Sequence, residues 1–271
     1  MSLRAGLSFL ALLIAVPTGA ILAAPPVPPP EGDAKLDVPY VPTPDAVLNQ
    51  MLEFAAPTKD DFLIDLGSGD GRIPITAAKR HGTRGFGVDI DPRRIAEARA
   101  NAEKEGVTDK VTFRQADLFD TEIREATVLT LYLLPAVNIR LRPRILDELR
   151  PGTRVVSHDF DMGDWKPDRT QQIGTSKHVY LWIVPAKVAG KWTVSDKAAG
   201  KDFLIDVKQD YQTISGSATI DGRVVPLRNA AVEGDRIVFE VAADGSQPKR
   251  YEGRLNNSAI EGDTWQAKPA T

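Results

Sequence analysis

A chain of 271 residues exceeds one typical domain and has room for a main core and a smaller module. Its 34 basic and 37 acidic side chains leave a net charge of −3 with no long basic run, so a nucleic-acid partner is not expected. Cysteine is absent and the three histidines, His81, His158 and His178, lie far apart, which excludes disulfides and a Cys/His zinc site; no metal is expected, although the sequence leaves a carboxylate-bound ion open.

The chain opens with Arg4 and an apolar run from about Ala5 to Ala24, followed by Pro25-Pro26-Val27-Pro28-Pro29-Pro30. A cationic start, an apolar stretch and small residues near Ala20 form a signal-peptide pattern, and a run of ~20 residues is also long enough for an uncleaved anchor. Residues 1–24 are therefore expected to export the chain, to the periplasm or outside the cell, or to anchor it in a membrane. Residues 25–38 read as a semi-rigid proline tether.

Pro39-Tyr40-Val41-Pro42-Thr43-Pro44-Asp45 then opens a helix, with Thr43 expected as N-cap and Pro44 at the first helical position. Val47, Met51, Leu52 and Phe54 give that helix an apolar face. Tyr40 and Thr43 are candidates for a lid over a ligand.

Phe62-Leu63-Ile64-Asp65-Leu66-Gly67-Ser68-Gly69-Asp70-Gly71-Arg72 reads as strand, glycine turn and helix start. Gly67 and Gly69 permit positive φ and close approach of backbone to a ligand. Asp65 at the strand end and Asp70 in the turn would repel a pyrophosphate, and the Gly-Lys-Ser/Thr of a phosphate loop is missing. The turn suits a ligand carrying an ammonium and hydroxyls. About twenty residues on, Gly85-Phe86-Gly87-Val88-Asp89 makes a second strand ending in an acid, placed to accept ribose hydroxyls. Asp91 and Pro92 repeat the N-cap and first-position device, with Ile95, Ala98 and Ala102 as the packing face.

Residues Val111 to Asp117 form a third strand, residues Ala126 to Leu134 a fourth, and Arg154 to Phe160 a fifth; Pro143 marks a break or fresh start in the intervening helix. Thr170 to Ile173 and His178 to Val184 fit an antiparallel pair closing the sheet. Asp65, Asp89, Asp117, Tyr132 and Asp159 then fall at or near strand ends, where ligands bind in open α/β sheets. From about Lys187 the pattern changes to short alternating strands, with a partial repeat between Val232-Glu233-Gly234-Asp235 and Ile260-Glu261-Gly262-Asp263. Such spacing indicates an antiparallel meander or small barrel.

The turn at Asp65 to Arg72 and the strand ending at Asp89 resemble the first motifs of class I S-adenosylmethionine-dependent methyltransferases. Joined with the Pro39 to Pro44 segment, Tyr132-Leu133-Leu134-Pro135, Pro151-Gly152-Thr153-Arg154-Val155-Val156-Ser157 and Trp165, they are similar in order to the ATP synthase c-subunit lysine N-methyltransferase family. The resemblance covers roughly Pro39 to Pro185. It implies an α/β fold with a seven-stranded Rossmann-like methyltransferase sheet over 39–186, beside the β-rich module over 187–271. It further implies S-adenosyl-L-methionine as methyl donor, held by Tyr40, Thr43, Asp65, Gly67, Gly69, Asp70, Asp89 and Asp117, the last toward the adenine amino group. A protein partner with a lysine acceptor follows by the same analogy, with Tyr132 and Asp159 as candidates to orient the amine. His158-Asp159 departs from the less acidic pattern expected after Val-Val-Ser. Two alternatives stay open: methylation of a small molecule, and an exported binding protein that keeps the fold without catalysis.

Overall fold

The computed structural model describes residues 40–242 and 247–270. The expected leader or anchor over 1–24 and the proline tether over 25–38 lie outside the described residues. Among the described residues, no helix is long and apolar enough to cross a membrane.

Seven strands form the first sheet: β1 (Phe62–Leu66), β2 (Arg84–Asp89), β3 (Val111–Gln115), β4 (Val128–Leu131), β5 (Arg154–His158), β6 (Arg169–Ile173) and β7 (Lys177–Ile183). Their spatial order is β3-β2-β1-β4-β5-β7-β6. The first five run parallel, and β7 pairs antiparallel with both β5 and β6. The order in which strands are added changes side at β1, with β2 on one side and β4 on the other, and a crevice opens there beyond the strand ends. This is the expected seven-stranded methyltransferase sheet.

Helices α1 (Asp45–Ala55), α2 (Arg72–His81) and α3 (Pro92–Glu105) cover one face of the sheet, and α4 (Pro135–Glu148) covers the other. Alternation along β1 shows the division: Leu63 packs with Val47, Met51 and Ala77, whereas Ile64 and Leu66 pack with Leu141 and Ile145 of α4. Asp91 caps α3 as expected, its carboxylate accepting from the Arg93 N–H at 2.8 Å, with Pro92 in the first turn.

Five local expectations are corrected. Pro44, not Thr43, occupies the N-cap of α1; its ψ of 150° is extended, so helical geometry starts at Asp45, and the Thr43 hydroxyl is engaged elsewhere. The third strand stops at Gln115, because the Asp117 carboxylate accepts from the Phe119 N–H and turns the chain. The fourth is shorter, since Leu134 already serves as N-cap of α4, and the fifth ends at His158, where Asp159 takes a φ of 62°. Finally, α4 runs unbroken through Pro143. The missing N–H would have bonded the carbonyl of Ile139, a residue on the exposed side of the helix, where water can take its place.

The C-terminal part holds β8 (Gly190–Asp196), β9 (Lys201–Asp210), β10 (Thr213–Ile220), β11 (Arg223–Pro226), β12 (Arg228–Glu233), β13 (Arg236–Val241), β14 (Lys249–Asn256), β15 (Ala259–Gly262) and β16 (Trp265–Pro269). Pairing runs β10-β12-β13-β14-β15-β16-β8-β9, and β9 pairs back onto β10, so eight antiparallel strands close a barrel with β11 as a side hairpin. The strict alternation of β9 puts Phe203, Ile205 and Val207 inside with Phe239, Tyr251 and Trp265. The barrel is filled by its own side chains. Its β9–β10 turn reaches the first sheet: Tyr211 packs against that core, and Gln212 accepts from Trp165 Nε1 at 3.0 Å and donates to the Lys166 carbonyl at 2.6 Å.

Candidate active site

The carboxyl ends of β1, β2 and β4 and the loop after β3 enclose a cavity of about 230 Å³. Tyr40, Thr43, Asp65, Gly67, Gly69, Asp70, Asp89, Asp117 and Tyr132 all line it. Asp159 does not, although its neighbour Phe160 does. Val88, Ile90, Ala116, Leu118, Leu133 and Leu134 make the walls largely apolar.

The glycine turn lies against these walls. Gly67 and Gly69 have φ of 77° and 52°, and a Cβ on Gly69 would stand 2.5 Å from the Tyr40 ring. Only glycine lets the Tyr40 ring come this close to the backbone. The ring is held from its other side by the Arg94 guanidinium, 4.5 Å from the centroid. Asp89, at the end of β2, fixes the turn by accepting from the Gly69 N–H at 3.0 Å and from the Asp91 N–H at 2.9 Å. Each of its oxygens keeps a further lone pair for a ligand hydroxyl.

Asp65 and Asp70 differ in their surroundings. Asp65 is 2% exposed, and its carboxyl meets the Thr130 hydroxyl at 2.6 Å. Burial pushes its pKa up to about 7, against the Thr130 hydrogen bond and with Asp89 and Asp70 adding to the rise. Among the described residues, no cation is paired with it. For Asp70, burial also favours the neutral acid, but hydrogen bonds and charge from Arg72 prevail and hold it below the usual carboxylate range. Arg72 Nη2 lies 2.6 Å from Asp70, and Nη1 donates to the Thr43 carbonyl at 2.8 Å. Asp70 therefore ties the turn to the segment before α1.

Tyr132, just past β4, stacks on His158 with centroids 3.7 Å apart. His158 is fully buried, its Nδ1 lies 3.2 Å from Thr43 Oγ1, and burial lowers its pKa to about 4, so the ring is neutral. Asp159 lies outside the lining of the cavity, and its carboxylate accepts from Lys177 Nζ and the His178 N–H. Asn138 of α4 donates to Ser157 Oγ and to the carbonyls of Phe160 and Asp161, pinning the loop after β5. Sequence reading passed over Arg72, Arg94, Asn138 and His158. His158 alone carried a signal, as a polar residue ending an apolar strand.

The family model for the ANTKMT methyltransferase domain matches residues 65–169. A protein-lysine N-methyltransferase of Saccharolobus islandicus is 48% identical over 151 residues, covering 54% of this chain and 94% of the relative. The ATP synthase c-subunit lysine N-methyltransferase of Xenopus laevis is 30% identical, covering 64% and 74%. The chain belongs to the protein-lysine N-methyltransferase family. Among solved structures, an RNA methyltransferase of Salinibacter ruber in complex with S-adenosyl-L-homocysteine is 56% identical, with a TM-score of 0.53 over 55% of this chain and 96% of that one. The chain is an S-adenosylmethionine-dependent methyltransferase.

The cavity of this methyltransferase fits that donor on its own chemistry. Among the described residues, Asp65 has no cationic partner and is suited to an ammonium, the glycine turn leaves room for a close backbone contact, and the buried Ser68 hydroxyl, which also lines the cavity, has no hydrogen-bond partner. Among the described residues, no cluster of His, Cys, Asp or Glu is arranged to hold a metal ion.

Proposed function

We propose that this methyltransferase transfers the methyl group of S-adenosyl-L-methionine to the ε-amine of a lysine in a protein. The reading is carried by the acid-lined cavity at the strand ends, in a chain that spans 94% of a protein-lysine methyltransferase relative. In this reading Asp65 faces the donor's ammonium, Asp89 accepts from ribose hydroxyls, Asp117 lies toward the adenine, and Tyr40 closes over the turn. Asp70 serves through Arg72, and Thr43 through His158, rather than by direct contact.

The bound donor supplies an electrophilic methyl group on a sulfonium. The chain's residues have two tasks, to aim the amine in line with that methyl and to keep water out. A free lysine amine holds its proton up to a pKa near 10.4, so the site must favour its neutral form. The apolar walls at Leu133, Leu134 and Phe160 act in that direction by desolvation. Tyr132 is stacked rigidly on neutral His158, which brings no positive charge against an incoming cation.

The test is transfer of methyl label from the donor to a cell extract, separated afterwards into protein, RNA and small molecules. Label in protein supports the reading. Label in RNA, the acceptor class of the Salinibacter relative, or in small molecules would displace it. For residues 1–24 the proposal remains a leader or anchor, and N-terminal sequencing of the protein recovered from fractionated cells tests it.

A further inference from the structure

Lys177, the first residue of β7, places its ammonium on Asp159: Nζ donates to Oδ2 at 2.5 Å. The same nitrogen stands 6.0 Å from the centroid of Tyr132, which lines the donor cavity. An alkylammonium and a carboxylate thus meet beside an aromatic residue of the cavity wall.

The carboxylate keeps its position without help from the lysine. Asp159 holds a φ of 62°, its N–H donates to the His178 carbonyl at 2.8 Å, and Oδ1 accepts from the His178 N–H at 2.9 Å. A non-glycine residue in the left-handed region costs free energy, and such positions concentrate at functional sites. Oδ2 faces Nε2 of the neutral His158 ring at 3.5 Å and is the oxygen that takes a cation. The Asp159 side chain is 13% exposed and that of Lys177 is 38% exposed, so a sheltered carboxylate is covered by a reachable, flexible chain. An ion pair with one partner this exposed adds little to folding stability.

We propose that Asp159 and Tyr132 form the seat of the acceptor's ε-ammonium, and that Lys177 fills this seat until a substrate lysine displaces it. The proposal rests on the lysine-methyltransferase reading and deepens it. Lys177 is chemically the same group as the acceptor, and a carboxylate beside a π face is the combination that recognises a primary alkylammonium. Entry of the substrate lysine exchanges one ion pair for another at Asp159. No net charge is buried in the exchange. Displacement is helped by the exposure of Lys177, which leaves its ammonium free to return to water.

The probe is n-butylammonium, titrated by calorimetry into the full chain saturated with S-adenosyl-L-homocysteine. Lys177→Ala should bind it at least about tenfold more tightly than wild type, and Lys177→Ala with Asp159→Asn should lose that gain, as expected for a hydrogen bond to a charged group. Titration of S-adenosyl-L-homocysteine into each variant reports an intact fold, and Lys177→Met serves if the alanine variant fails that control. Equal, weak n-butylammonium binding in wild type and in a folded Lys177 variant would overturn the proposal, leaving the pair as a strut between β5 and β7. Methyl transfer to RNA would instead fail the acceptor reading while leaving ammonium binding unchanged, so the two failures are read separately.

Discussion

Asp65 carries an electrostatic cost that the free protein sustains. Its carboxyl titrates near pH 7 when folded against an ordinary value of 3.8, so between these values the folded chain holds a proton that the unfolded chain has lost. Stability from this group is therefore complete below the lower value and declines as pH rises through 7, by about 4 kcal/mol in all. Asp65→Asn keeps an acceptor for Thr130 and removes the charge. The variant should melt higher than wild type at pH 8, with the gap closing toward pH 5, in thermal scans without donor; a gap independent of pH would contradict this assignment. Donor binding should change oppositely, because an ammonium favours the ionised acid: wild-type affinity should rise from pH 6 to pH 8, and the asparagine variant should bind weakly at both. Asp89→Ala should weaken donor binding by roughly 1.5–3 kcal/mol, the scale of a hydrogen bond to a charged group. Calorimetry showing unchanged affinity would remove Asp89 from the ribose position.

At the scale of elements, the ends of the strands and helices do the positioning, and there the limits of sequence reading are plain. Strand and helix identities were legible because burial repeats with period two in β9 and as continuous apolar runs in β1 and β5. The acids that line the cavity were legible too, since Asp65 and Asp89 close apolar runs. Strand ends were overextended at Asp117, Leu134 and Phe160, because apolar or acidic residues that turn off the sheet toward a cavity keep the same local pattern as those within it. Thr43 looked like a cap, but its hydroxyl goes to His158, 115 residues away in the chain, and no local signal encodes that contact. The Asp159–Lys177 pair depends likewise on the antiparallel return of β7 along β5.

The β9–β10 turn is one of the elements that couple the barrel to the methyltransferase core, beside Gly234, which lies against Gly152. Trp165 is fully buried and its Nε1–H has Gln212 as partner. Gln212→Ala leaves that donor and the Lys166 carbonyl without their partner, which should cost about 1–3 kcal/mol. Denaturation followed by tryptophan fluorescence measures it, and a midpoint equal to wild type would show that the turn merely rests on the core.

On the scale of the whole molecule, two cores of different construction share one chain. The α/β part carries every cavity residue named above, and the Saccharolobus relative, 94% covered by about half of this chain, is a protein-lysine methyltransferase of its own. The cavity therefore lies wholly in the α/β part. The whole account converges on lysine methylation at the cavity formed by β1, β2 and β4. Its most direct measurement is acid hydrolysis of protein labelled by the full chain with methyl-labelled donor, resolved against methylated amino-acid standards, for wild type and Asp89→Ala at limiting donor. The account predicts label eluting with mono-, di- or trimethyl-lysine for wild type and a strong loss for Asp89→Ala. Label in methyl-arginine or methyl-histidine, or methyl-lysine formed equally by both proteins, would contradict it.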